Sequence, residues 1–213
     1  HGTFEGESTL DAIRGANLSG VTPFVRVREI SRASIMKPLD VGAKGLIIPF
    51  IEKVEDIKNV VKWAKYSPLG ARGFCPSRKD GWGCDYPSGE PMEKVMEYWN
   101  SETLVIPQCE TAGCLSHIEE IASMDGVDGI FIGPYDLSIG LGISGQFDSH
   151  DFKNALERIK KACKKAGKFV IIFNMNPETA PEYFSEGYDS VTVGLDIAYY
   201  IDACKEAVKK AKM

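Results

Sequence analysis

Six short apolar runs recur along the chain, at 23–27, 45–51, 103–109, 129–133, 168–173 and 190–194, each bounded by Gly or Pro. Most are continuous rather than alternating. A strand that is apolar without a break must be covered on both faces, as in parallel sheets flanked by helices. Amphipathic patterns fill the intervals. In 53–65, Val54, Ile57, Val60, Val61 and Ala64 share one helical face and the charges take the other. Further helices are predicted at 8–16, 116–123, 151–166 and 197–212, with one at 30–40 that Pro38 should end or kink. Gly42, Gly126, Gly167 and Gly187 stand where helix C-caps would feed the next strand.

This strand–helix rhythm predicts an α/β domain with right-handed crossovers, either a doubly wound sheet or a (β/α)8 barrel. No Gly-x-Gly-x-x-Gly follows a strand, so the dinucleotide-binding sheet loses its usual support. The expectation is a (β/α)8 TIM barrel forming a single domain over 1–213. Because six strands are readable where a barrel needs eight, the N-terminal one or two strands are expected to be absent from the sequence.

Composition narrows the function classes. A net charge of −5 and no basic stripe argue against nucleic acid as a partner. No apolar stretch reaches the roughly 18 residues that a membrane span needs, and no signal peptide opens the chain, so a cytoplasmic location and no membrane contact are expected. The six cysteines, at 75, 84, 109, 114, 163 and 204, show no Cys-x-x-Cys spacing. They are read as reduced thiols rather than a zinc site or a disulfide framework.

Two acids stand where apolar runs stop: Glu110 after 103–109 and Asp136 after 129–133. Their separation, 136 − 110 = 26 residues, is about one strand–helix–strand step. On a parallel barrel both would enter one mouth, which suggests a divalent metal site. Either acid, Asp136 especially, also fits a helix N-cap. Arg72 lies within Gly70-Ala-Arg-Gly73, in a Gly/Pro/aromatic stretch from about 66 to 90 that is long for a connection. Its flanking glycines let a ligand approach, making it the candidate anion clamp, or else a surface arginine in a turn.

Pro107-Gln-Cys-Glu-Thr111, Gly129-Ile-Phe-Ile-Gly-Pro-Tyr-Asp-Leu-Ser138, Gly70-Ala-Arg-Gly73 and Val193-Gly-Leu-Asp196 together resemble the HpcH/HpaI aldolases, metal-dependent enzymes that cleave 4-hydroxy-2-oxo acids. The resemblance implies that Glu110 and Asp136 ligate Mg2+, Mn2+ or Co2+, with water and substrate oxygens completing the shell. It implies that Arg72 binds the carboxylate and oxo oxygen of pyruvate, and that Gln108 sits beside the metal. Gly133, Pro134, Tyr135 and Asp136 would supply the backbone that holds the carboxylate. His1 resembles the family's catalytic base at the end of a barrel strand, and is otherwise a tag remnant. A closed homo-oligomer, a hexamer built as a trimer of dimers, is implied as well.

The expected reaction is cleavage of a 4-hydroxy-2-oxo acid to pyruvate and an aldehyde, with the metal and Arg72 stabilising the enolate and His1 moving the 4-hydroxyl proton. Lys44 and Lys168 precede strands, the wrong rim for a Schiff-base lysine. His117 and His150 are assigned no chemistry. Cys109 should point away from the face that Gln108 and Glu110 share. Tyr135 and the Phe-Cys-Pro-Ser that follows Gly73 depart from the family's small residues, leaving substrate size open. Two alternatives stand: a related magnesium-dependent barrel lyase acting on an acyl-CoA or phosphoenolpyruvate-type substrate, and a barrel that binds metal and oxo acid without turnover.

Overall fold

The computed structural model describes residues 6–86 and 89–212. Every expected strand forms: β1 (Phe24–Arg26), β2 (Gly45–Ile48), β3 (Leu104–Cys109), β4 (Gly129–Ile132), β5 (Phe169–Asn174) and β6 (Ser190–Val193). All pair in parallel, in the order β1-β2-β3-β4-β5-β6. An unbroken order rules out a doubly wound sheet, in which the order reverses at a switch point.

The full (β/α)8 closure is not present among the described residues, and β1 and β6 are the edges of a curled six-stranded sheet. A tightly packed barrel interior needs about eight strands, so six leave the ring incomplete.

Strand alternation sorts side chains onto two faces. Val25, Leu46, Val105, Ile130 and Val170 face the helices and belong to the main core. Ile106, Phe131 and Ile171 form a second cluster on the concave face, with Ile47 and Phe173 packed against it. One glycine makes this face possible: a Cβ on Gly129 would lie 2.2 Å from the Phe169 ring, so only glycine admits that ring.

The expected helices are α1 (Glu7–Leu18), α2 (Arg32–Asp40), α3 (Val54–Ala64), α6 (Ile118–Ser123), α8 (His150–Ala166) and α10 (Asp196–Ala211), numbered here in chain order with four others. Pro38 lies within the last turn of α2, which ends two residues later. In α8, Ser149 Oγ caps the start by accepting from the Phe152 amide at 3.3 Å, while Phe152, Ala155, Ile159 and Cys163 bury one face. The four not expected are α4 (Met92–Ser101), α5 (Ala112–Ser116), α7 (Pro134–Gly140) and α9 (Ala180–Ser185). No helix among the described residues is long and apolar enough to cross a membrane.

Helix α10 differs from the rest because none of its residues is buried. Ile197, Tyr200, Ile201 and Val208 are all exposed, so its apolar side does not pack on this chain's own sheet.

Candidate active site

The C-terminal ends of β1 and β3 bring three polar side chains together. Val25 and Val27 pack into the helix-facing core, so Arg26 between them faces the concave side. Its Nε donates to Gln108 Oε1 at 3.0 Å, and its Nη2 lies 3.8 Å from Glu110 Oε1. Gln108 Nε2 in turn donates to Glu110 Oε2. Cys109, between them, is fully buried in the opposite core, as strand alternation requires.

Glu110 is the pivot of this group. Its side chain is 0 % exposed, and Oε1 accepts from the Phe50 amide at 2.9 Å. Burial pushes its carboxyl above the usual carboxylate range. The Phe50 amide and Arg26 pull the other way, and the negative charge of Asp136 adds to the rise.

Asp136 does not end a strand. β4 stops at Ile132, and Asp136 lies in the first turn of α7, whose N-cap is Gly133 and whose first residue is Pro134. It is exposed, as is Tyr135, which packs edge-on against Phe147 at 5.1 Å between ring centroids. Gly133 is held close to the acid: a Cβ there would lie 2.9 Å from Gln108 Nε2 and 3.2 Å from both Glu110 Cβ and Oε2. Thr111 caps α5 by accepting from the Cys114 amide at 2.9 Å, and its hydroxyl also donates to the Ile51 carbonyl. That pair of bonds ties the exit of β3 to the exit of β2.

Arg72, expected at this mouth, lies at the other end of the sheet. Its amide bonds the Lys65 carbonyl at 3.0 Å. The Lys65 ammonium reaches the carbonyl of Thr103, the residue before β3, and Asp128 at 3.1 Å, the residue before β4. Glu110 follows the last residue of β3, whose 6 residues span about 20 Å. The Arg72 guanidinium is fully buried, pairs with Asp40 at 2.6 Å and stacks 5.0 Å from the Tyr66 ring centre. The structure therefore places it beneath the sheet, away from Glu110, with Nε and Nη1 buried and without hydrogen-bond partners among the described residues. Proximity to glycines does not specify an end of a strand, which is why the motif misled.

The missed residue is Arg26. Its signal was present, since a charged residue inside an otherwise apolar strand is rarely buried without a partner. His1 falls outside the described residues. His117 and His150 are exposed, at the α5–α6 junction and the first residue of α8.

The donor set suits a hard divalent cation. Glu110 and Asp136 supply carboxylate oxygens whose mutual repulsion a cation would relieve. Among the described residues no group of three or more His, Cys, Asp or Glu side chains converges, so two acids would leave positions open for water and substrate.

A family model described as HpcH/HpaI aldolase/citrate lyase matches residues 7–203. Among curated proteins, the chain is 34% identical over 198 residues to a hydroxypyruvate/pyruvate aldolase of Rhizorhabdus wittichii, covering 92% of this chain and 75% of that one. It is 31% identical over 192 residues to the 2-keto-3-deoxy-L-rhamnonate aldolase of Escherichia coli K12, covering 89% and 69%. Among solved structures, an HpcH/HpaI aldolase from Desulfitobacterium hafniense superposes with a TM-score of 0.88 at 26% identity, over 100% of this chain and 80% of that one.

Proposed function

Since this chain belongs to the HpcH/HpaI aldolase/citrate lyase family, we propose that it cleaves 4-hydroxy-2-oxo acids to pyruvate and an aldehyde, with Arg26, Gln108, Glu110 and Asp136 at the reacting centre. One observation carries this reading: a buried carboxylate, an amide and a guanidinium from two strands meet at the C-terminal rim, where parallel α/β folds place their chemistry.

Cleavage removes the proton from the 4-hydroxyl, breaks the C3–C4 bond and leaves its electron pair in a pyruvate enolate, which takes a proton at C3. Arg26 faces the developing negative charge and can hold the planar carboxylate edge with two N–H groups. Gln108 holds both the guanidinium and Glu110 in place. Glu110 and Asp136 would hold Mg2+, Mn2+ or Co2+. When bound, such an ion supplies Lewis acidity at the substrate's oxo oxygen. The amides of Tyr135 and Asp136, in the first turn of α7, lack helical acceptors and suit the substrate carboxylate. His1 is assigned the proton transfer at the 4-hydroxyl. Lys44 and Lys168 immediately precede β2 and β5 and offer no amine at this rim.

We read the six strands as the body of an eight-stranded barrel, because their order is sequential and the solved relative is longer than this chain. The exposed apolar side of α10 is assigned to contact between copies in a homo-oligomer, testable by solution mass.

The test is release of pyruvate from a 4-hydroxy-2-oxo acid by protein supplied with Mn2+, abolished by EDTA. Glu110→Gln and Asp136→Asn should each lower turnover by at least about a hundredfold. Undiminished turnover in both variants would sink the metal assignment.

A further inference from the structure

Phe50 carries three observations that the reaction scheme leaves unused. Its φ is 55°, a left-handed conformation that glycine adopts freely and bulky side chains resist. Its amide donates to Glu110 Oε1 at 2.9 Å. The residue is 57 % exposed, although the next one, Ile51, is fully buried.

The backbone accounts for the first two together. Phe50 and Ile51 leave β2, and both are bonded to consecutive residues leaving β3, Glu110 and Thr111. A left-handed turn aims the Phe50 amide at the acid while Ile51 returns to the core. Glycine would make that turn without strain and donate the same bond. The ring is therefore not required by the fold, and the fold does not bury it.

Its location indicates what else it serves. Adding an N–Cα bond of about 1.46 Å to the 2.9 Å hydrogen bond places the Phe50 Cα within about 4.4 Å of a Glu110 oxygen. A substrate held at Glu110 thus lies beside the Cα that carries the ring. On the other carboxylate oxygen, Gly133 makes the close approach, and the exposed ring of Tyr135 follows two residues later.

We propose that Phe50 determines specificity. Its amide positions Glu110, and its ring forms an apolar wall for the aldehyde-derived end of the substrate, favouring hydrocarbon or aromatic aldehydes over short hydroxylated ones. This rests on the aldolase reading and names the substrate class for it.

The experiment compares condensation of pyruvate with benzaldehyde and with glycolaldehyde, in the presence of Mn2+, for wild type, Phe50→Gly and Phe50→Leu. Each condensation removes a C3 proton from pyruvate, forms the C3–carbonyl bond and adds a proton to the new alkoxide. In Phe50→Gly the ratio of kcat/KM for benzaldehyde to that for glycolaldehyde falls at least about tenfold, mainly through KM for benzaldehyde. Its Mn2+ dissociation constant stays within about twofold and its Tm does not fall, because the amide remains and the backbone strain is relieved. Phe50→Leu restores the ratio to within about threefold of wild type. An unchanged ratio in Phe50→Gly, with wild type active, overturns this inference alone. So does a change in solution mass, which would assign the ring to a contact between copies. Wild type that condenses pyruvate with neither aldehyde overturns the aldolase reading and this inference with it.

Discussion

Arg26 Nε donates to Gln108 Oε1 at 3.0 Å, although the residues are 82 positions apart and β2 runs between their strands. Side chains from alternate strands meet across a curled parallel sheet, and here the meeting places a guanidinium beside the buried carboxylate of Glu110. Lysine retains the charge but not the planar fork. Arg26→Lys should lower kcat/KM about 100- to 1,000-fold and raise KM for pyruvate in condensation, measured at saturating Mn2+. Retention of activity within about threefold would remove Arg26 from the site.

Gly133 is the close packing point against that carboxylate. The added methyl of Gly133→Ala would meet Gln108 Nε2, a movable end, and also Glu110 Cβ, which cannot retreat along the strand. Urea unfolding should show a loss of about 1–3 kcal/mol. Mn2+ affinity, followed by titration, should weaken about tenfold as the Glu110 rotamer is displaced.

The buried guanidinium of Arg72 serves the opposite end. Arg72→Ala removes its pair with Asp40 and its stacking on Tyr66 and leaves a cavity. Stability should fall by about 2–4 kcal/mol, while kcat/KM per folded molecule stays within about threefold. A loss of catalysis without a loss of stability would return Arg72 to the mouth.

Alkaline stability reports on Cys163. Burial in the core pushes its thiol up from 9.0 to about 12. Between those values the unfolded chain releases a proton that the folded chain keeps, so stability is fully present below about pH 9 and declines as pH rises. The slope should be about 1.4 kcal/mol per pH unit from this group. Urea midpoints at pH 8, 9 and 10 should fall for wild type and fall less steeply for Cys163→Ala.

The four inner strands, β2 to β5, were legible because burial on both faces leaves a local mark, a continuous apolar run; β1 and β6, half-exposed at the edges, were legible from their short β-rich runs. Long amphipathic helices such as α3 and α8 were legible for the same kind of reason. Helix α7 was not: Pro134-Tyr-Asp-Leu-Ser-Ile-Gly follows the apolar β4 run directly, so periodicity merges the two and Asp136 reads as a strand end. α9 is too short for its periodicity to stand out.

The sequence by itself determined the alternating α/β order, the outward packing of Cys109, and Glu110 and Asp136 as acids beyond apolar runs. Only the tertiary structure showed that Arg26, and not Arg72, lies beside Glu110. Both are arginines near an apolar run; Arg26 ends β1, but the loop that holds Arg72 carries no local mark of where its guanidinium will lie. That depends on long-range pairings: Arg26 to Gln108 at one rim, and Lys65 to Thr103 and Asp128 at the other. Parallel α/β folds place their chemistry at the C-terminal rim, so an arginine belongs to the site only when distant side chains hold its guanidinium at that end.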